Sequence, residues 1–426
     1  VPINFRLVAE EVRYIVKHSG ARVLLVDPEL EEAMSSVECE HKFVIGAKAD
    51  DALMRFGVAP RPWTPDEDAT ATINYTSGTP ARPKGVQLTH RNLWVNAAIF
   101  GWQLGVSDRD VYLHTLPQFH ANGWGMVFAV TGMGGRHVVL RKVDGPEILR
   151  RIEEHKVTLL CGAPAVANTI LDAAPGAGTN RGHVRMVVAG APPPTKTIER
   201  IETELGWEFV QIYGLTETTG VVTMLMHEDH DVDGPKKHLL RSCGKPSMGI
   251  ELKIVDEKGK ELPAGEVGEI IIRSRQVMKG YWNMPEETAK SIRNGWFYTG
   301  DAGYKDKEGY VYIHDRVKDM IVSGGENVYP AEVENALMKH PAVQDVAVIG
   351  IPDDRWGEVP LAIVVRKPNV TVAEDDIVAF GRTQLAGFKT PKKVVWADAL
   401  PRNPSGKILK KDLRAPYWQG RTRQVN

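Results

Sequence analysis

An excess of charge of either sign is missing from this chain: 53 Lys plus Arg stand against 54 Asp plus Glu, a formal net charge of -1. Neither nucleic acid nor another polyanion is therefore implied as a partner. Cysteine is scarce as well. Cys39, Cys161 and Cys243 are odd in number and too far apart for a zinc spacing, which excludes a disulfide framework and points to a reducing, cytoplasmic setting. No apolar run is long enough to span a bilayer, so no transmembrane segment is expected. The start, Val1-Pro2-Ile3-Asn4, has neither signal-peptide character nor a methionine, as expected of a truncated chain. Several chemical signatures also fail. Gly176-Ala177-Gly178 has Arg181 where a dinucleotide fingerprint needs its third glycine. Asp229-His230-Asp231-Val232-Asp233-Gly234 opens like a calcium loop but reaches Leu240 where a bidentate Glu belongs, and no Gly-x-Ser-x-Gly elbow exists. Hydride transfer, calcium binding and serine hydrolysis all lose support.

What is present begins with length. A chain of 426 residues exceeds a single core, so two or more domains are expected. From residue 11 to about 200, helical patterns alternate with β-branched runs at 22–27, 137–140, 157–162 and 184–190, the layering of an α/β fold. Ile148, Leu149 and Ile152 share one face of a helix over 145–156, with a strand directly after it, so a parallel sheet is predicted. Between about 240 and 315 the pattern alternates, with strands 251–255 and 267–273 bracketing a turn-rich segment, which reads as a small β-barrel or hairpin module. After Asp315 comes a smaller α+β unit: helix 331–340, strands 346–351 and 361–366, helix 373–385, strand 393–397.

One stretch organises the rest. Asn74-Tyr75-Thr76-Ser77-Gly78-Thr79-Pro80-Ala81-Arg82-Pro83-Lys84-Gly85 is rich in hydroxyls and glycine, has a lysine near its end, and runs from a strand toward a helix beginning near Thr89. Thr76, Ser77 and Thr79 offer hydroxyl donors, Gly78 and Gly85 admit an anion to the backbone, and Lys84 adds charge, so the stretch reads as a phosphate cradle. Pro83 and Gly85 flank the lysine where an ordinary P-loop requires Gly and Ser or Thr, which sets motor-type nucleotidases aside.

Taken with the motifs downstream, the chain resembles the adenylate-forming acyl-CoA synthetase (fatty-acid–CoA ligase) family. The resemblance is carried by the cradle and by Ala189-Gly190-Ala191-Pro192, Gln211-Ile212-Tyr213-Gly214-Leu215-Thr216-Glu217, Tyr298-Thr299-Gly300-Asp301, Asp315-Arg316-Val317-Lys318-Asp319, Ser323-Gly324-Gly325-Glu326-Asn327 and Pro401-Arg402-Asn403-Pro404-Ser405-Gly406-Lys407. It covers essentially the whole chain, although family members carry several dozen further residues before Pro2. It implies a large α/β domain of parallel sheets with a small β-barrel module over 1–314, a hinge at 315–318 and a smaller α+β lid over 319–426. The substrates implied are a fatty or other carboxylic acid, ATP and CoA, with Mg²⁺, and a homodimer is an admissible assembly.

By the same resemblance, ATP and AMP are held by Thr76, Ser77, Gly78, Thr79, Lys84, Gly190, Ala191, Pro192, Gln211, Ile212, Tyr213, Gly214, Thr216, Asp301, Arg316 and Lys407. Tyr213 stacks on adenine, Asp301 takes the ribose hydroxyls and Glu217 is the metal residue. Lys407, Thr216, Glu217 and His120 form the catalytic set. Lys318 is the hinge on which the lid swings, and Gly324 and Gly325 line a channel for the thiol arm of CoA. Phe119-His120-Ala121-Asn122-Gly123-Trp124 aligns with the acyl-pocket segment, so His120, Trp124 and Met126 are assigned to the acyl chain. His120 stands where amino-acid-activating relatives usually carry an Asp for the substrate ammonium, which argues against an amino-acid substrate. Pro80-Ala81 departs from the usual Thr-Gly, removing a hydroxyl, a backbone donor and a flexible residue, so a stiffer cradle or weaker ATP binding is expected. The lost leading segment is expected to leave apolar surface exposed in the first subdomain. The reading is a medium- or long-chain fatty-acid–CoA ligase. Its rivals are an aryl- or other carboxylate–CoA ligase, a carrier-protein-loading domain and a non-catalytic nucleotide-binding relative.

Overall fold

The computed structural model describes residues 1–59, 61–76, 83–174, 183–189, 193, 195–316, 319–323, 326–353, 355–402 and 408–419, without the side chains of Ala47, His314, Asp315, Arg316, Glu326 and Asn327. Two units result: Val1–Leu252 with Ile272–Phe297 and Glu308–Val311, and Lys253–Ile271 with Tyr298–Lys307 and Tyr312–Asn426.

The first unit is built on a seven-stranded sheet. From edge to edge it runs Arg136–Val139, Val111–His114, Leu159–Gly162, Arg185–Val188, Glu208–Tyr213, Thr223–Leu225 and Lys245–Pro246. Its first five strands are parallel, Thr223–Leu225 runs opposite to them, and Lys245–Pro246 pairs antiparallel with Thr223–Leu225 at the edge. Strand alternation explains why the central runs are apolar throughout. Leu159 and Cys161 enter one core with Phe100, Met126 and Val130, while Leu160 enters the other with Ile148, Ile152, Ile170 and Ile201. The helix Gly145–His155 shows the local logic. Asp144 caps it by accepting from the Glu147 N–H at 3.0 Å, its buried stripe is Ile148, Leu149 and Ile152, and Lys156 ends it at φ 56.

The phosphate stretch differs from the strand–turn–helix expected. Thr70–Thr76 pairs antiparallel with a second strand, Lys84–Thr89, in a register that sets Thr76 opposite Lys84, and Gly280–Tyr281 adds a third strand. The second strand escaped notice because Gly85 and two polar residues break its alternation. Gly85 is required by the pairing, since a Cβ there would sit 2.8 Å from Ile73 Cγ2. Thr89 then caps the helix His90–Gln103 as its position suggested. A two-stranded parallel sheet, Val23–Val26 with His41–Val44, turns Val23 and Leu25 outward, each about half exposed.

A five-stranded sheet orders Glu251–Val255, Gly268–Arg273, Trp296–Lys305 and Ile292–Arg293, with Val311–Arg316 against Trp296–Lys305. In the second unit Val343–Asp353 and Gly357–Arg366 form a long antiparallel ladder, longer at both strands than the apolar runs predicted, because the pairing continues through Pro352 and Glu358. Lys393–Trp396 lies parallel on the far side, and one core contains Val346, Val348, Val364, Val333 and Ile377. None of the described helices is long and apolar enough to cross a membrane.

Candidate functional site

The site assembles in the first unit around the cradle hairpin. The N-terminal helix Ala9–Ser19 braces it through two residues one turn apart: the Tyr14 hydroxyl donates to the Pro83 carbonyl at 3.1 Å, and His18 Nδ1 lies 2.8 Å from the Tyr75 hydroxyl. Lys84 begins the second strand, and its ammonium meets Glu287 at 2.9 Å and lies 4.6 Å from the Tyr281 ring centre. The Tyr281 hydroxyl in turn donates to Glu217 Oε1 at 2.9 Å. Glu287 is held ionised, its pKa lowered to about 2, first by the hydrogen bond from Lys290 and then by that from Lys84.

The Gln211–Glu217 motif leaves the carboxyl end of the parallel strand Glu208–Tyr213, where ligands approach open α/β sheets. Gly214 has a geometric reason: a Cβ on it would fall 1.3 Å from the Gly220 carbonyl oxygen, so only glycine lets the loop close. The Met278 N–H donates to the Glu217 carbonyl at 2.8 Å, and the Thr219 hydroxyl to that of Gln276 at 2.6 Å, which pins the loop to the segment that leads into Tyr281. Gln211 is 5% exposed, yet its Oε1 has no hydrogen-bond partner among the described residues. A buried orphan acceptor is costly unless a ligand donates to it.

The acyl segment takes an unexpected form. Ala121, Asn122, Gly123, Trp124 and Gly125 all have positive φ, between 39° and 79°, a turn of left-handed helix closed by Trp124 N–H to the His120 carbonyl at 3.1 Å. Left-handed helix costs roughly 1–2 kcal/mol per non-glycine residue. Two buried amides offset it: Asn74 donates to Asn122 Oδ1 at 3.1 Å, and Asn96 to the Trp124 carbonyl at 3.2 Å. The turn sets His120 against Phe119, ring centres 4.6 Å apart, where burial and then the charge of Arg6 push the imidazole pKa down. Trp124 is half-buried against the core, and Met126 is fully buried within it.

A model of the AMP-binding enzyme family matches residues 1–282, and one of the AMP-binding enzyme C-terminal domain matches residues 332–407. The chain belongs to the AMP-binding enzyme family. Over its whole length this AMP-binding enzyme is 37% identical to fatty acid–[acyl-carrier-protein] ligase ScoC of Streptomyces coeruleorubidus, covering 83% of that protein. It is also 37% identical to a feruloyl-CoA synthase of an Amycolatopsis species, over 98% of this chain and 83% of the other. The structure of o-succinylbenzoate coenzyme A synthetase from Bacillus subtilis in complex with ATP and magnesium superposes with a TM-score of 0.84, at 33% identity, covering 96% of this chain and 83% of that one. The resemblance read from the motifs therefore holds for family and fold: this is an adenylate-forming enzyme of the acyl- and aryl-CoA ligase group.

Of the assigned residues, the first unit brings Thr76, Lys84, Gln211, Ile212, Tyr213, Gly214, Thr216 and Glu217 onto the hairpin and the strand end, with His120, Trp124 and Met126 on or beside the left-handed turn. Asp301 lies in the second unit, 6% exposed, its N–H bonded to the Thr299 hydroxyl at 3.0 Å. Ser77, Gly78, Thr79, Gly190, Ala191, Pro192, Lys318, Gly324, Gly325 and Lys407, and the side chain of Arg316, lie outside the described residues. Tyr281, Glu287, Asn74 and Asn96 were missed. Nothing in the sequence assigns them a role, because each acts through a partner 28 to 203 residues away.

Proposed function

We propose that this AMP-binding enzyme activates a medium- or long-chain fatty acid with ATP and passes the acyl group to CoA. A carboxylate oxygen attacks the α-phosphorus of ATP, the bond to the β-phosphate oxygen breaks, and pyrophosphate leaves. The CoA sulfur then attacks the acyl carbon of the mixed anhydride, and AMP departs with the bonding pair. The observation that supports an uncharged alkyl substrate is the acyl segment: position 120 carries a histidine kept neutral by burial and Arg6, and Trp124 packs on an apolar core. An ammonium-bearing substrate would find no carboxylate at that position.

The residues present suit the nucleotide. Gln211 offers an exocyclic amine a buried oxygen that has no partner among the described residues, Lys84 offers an ammonium to phosphate, and Glu217 offers a carboxylate to Mg²⁺. When bound, Mg²⁺ supplies charge neutralisation at the phosphates. Lys407, on the family pattern, adds the ammonium that offsets charge on the α-phosphate in the transition state.

The test is a panel of octanoate to palmitate, cinnamate, ferulate and benzoate, scored by AMP release with CoA or with a phosphopantetheinyl carrier protein as acceptor. CoA-dependent release greatest for the alkanoates supports the reading. Preference for the aryl acids, the chemistry in the name of the feruloyl-CoA relative, assigns the enzyme to aryl activation. Release with the carrier protein alone favours a carrier-loading ligase, as the ScoC relative is named. ATP binding without acid-dependent pyrophosphate exchange removes the catalytic reading altogether.

A further inference from the structure

Glu217 and Lys84 reach the site from chain segments 133 positions apart, and a single side chain touches both. Tyr281 stands on the short strand Gly280–Tyr281, opposite Val86 in the cradle sheet, with its N–H bonded to the Thr288 hydroxyl at 2.9 Å. Its ring is 6% exposed and belongs to a core with Val86, Leu88, Met278 and Phe297, so it is located from both backbone and packing. The phenol donates to Glu217 Oε1 at 2.9 Å, and the Lys84 ammonium sits 4.6 Å from the ring centre. Glu287 completes the arrangement by holding the same ammonium at 2.9 Å.

We infer that Tyr281 is a positioning residue, its hydroxyl aiming the Glu217 carboxylate and its ring seating the Lys84 ammonium. This rests on the ligase reading, in which Glu217 meets Mg²⁺ and Lys84 meets the phosphates of ATP. Packing alone does not require the oxygen, since phenylalanine would fill the same core space. A carboxylate with one oxygen fixed by a charge-assisted hydrogen bond presents the other in a defined direction, which is what a metal with strict geometry selects for. Lys84 against a ring face is also less mobile than a solvated lysine, and a bound triphosphate would compete with Glu287 for its ammonium.

The test separates oxygen from ring. Mn²⁺ binding to the protein–ATP complex is titrated by electron paramagnetic resonance, and ATP binding without metal is measured by calorimetry in EDTA, for the wild type, Tyr281→Phe, Tyr281→Leu and Glu217→Gln. Tyr281→Phe should weaken Mn²⁺ about ten-fold and leave metal-free ATP binding within about two-fold. Tyr281→Leu should also weaken ATP binding in EDTA several-fold, and Tyr281→Phe should add little to Glu217→Gln in the double variant. If Glu217→Gln weakens Mn²⁺ while Tyr281→Phe does not, the hydroxyl is a packing detail and the inference falls. If Glu217→Gln has no effect either, the metal assignment of Glu217 is wrong, a separate failure that takes the inference with it. Should Tyr281→Phe not fold, Glu217→Asp, which withdraws the carboxylate by one methylene, must show the same selective loss of Mn²⁺ affinity. Wild-type affinity there overturns the inference.

Discussion

Asn74 donates its side-chain amide to Oδ1 of Asn122 at 3.1 Å, tying the strand that enters the phosphate cradle to the left-handed turn of the acyl segment. Asn122 is suited to that position, since asparagine tolerates positive φ better than other residues with a Cβ. Asn122→Ala should lose both the backbone tolerance and the buried hydrogen bond, about 2 kcal/mol in urea denaturation. Asn122→Gly, which keeps the backbone freedom, should lose about half of that. Equal losses would show that the turn is not strained.

Trp124 sits within that turn, so its indole direction depends on the left-handed backbone. Trp124→Ala should shift acid preference toward longer or bulkier chains by up to roughly two orders of magnitude, the value of one pocket contact at about 1–3 kcal/mol. An unchanged profile in the acid panel, with stability retained, would mean that Trp124 serves the core only.

Lys407 is proposed for adenylation and Lys318 for the swing of the lid between half-reactions. Lys407→Ala should slow ATP-dependent adenylate formation by about 10²–10³-fold and spare thioester formation from chemically made acyl-adenylate. Lys318→Pro should do the converse, because proline fixes φ and removes an N–H at the hinge. Equal damage to both steps in Lys407→Ala would remove the alternating-lid proposal.

Arg185 and Asp110 form a largely buried ion pair at the amino ends of two parallel strands, Arg185–Val188 and Val111–His114, with Thr158 and the Ser107 N–H also bonding the carboxylate, at 2.6 and 2.8 Å. Burial by itself would raise the Asp110 pKa; the bonds from Arg185, Thr158 and Ser107 together outweigh it and the net shift is downward. Asp110→Ala should cost about 3–5 kcal/mol because it strands a buried guanidinium. Arg185→Met in the same chain should recover part of it, measured by denaturant unfolding.

His230 is buried, stacks edge-on to Phe209, and has its pKa lowered to about 4 by burial. His114, beside His137 at 2.8 Å, is lowered to about 4 by burial and then by the His137 charge, but is more exposed and contributes less. A histidine neutral in the fold and protonated in the unfolded chain stabilises the fold above pH about 6.5, and that stability is lost as pH falls toward about 4. The unfolding free energy of the first unit should therefore fall across that window, by at most about 1.4 kcal/mol per pH unit for His230. His230→Leu should flatten the slope by up to one proton in a pH series of denaturant curves.

The layering of the first unit and the helices and strands of the second were legible because local period and burial agree. Ile148, Leu149 and Ile152 repeat at helical spacing, and the runs at 157–162 and 184–190 are apolar because both sheet faces are covered. The motifs were legible because their residues are close in the chain. Lys84 shows the limit: the sequence marked it as a phosphate cation, while only the pairing of Thr76 with Lys84 and of Val86 with Tyr281 placed it on a strand above an aromatic ring and against Glu287. The left-handed turn at 121–125 was equally unreadable. Its local cost is met by Asn74 and Asn96, which lie 48 and 28 residues from the groups they bond, and interactions at that separation exist only once the chain has folded.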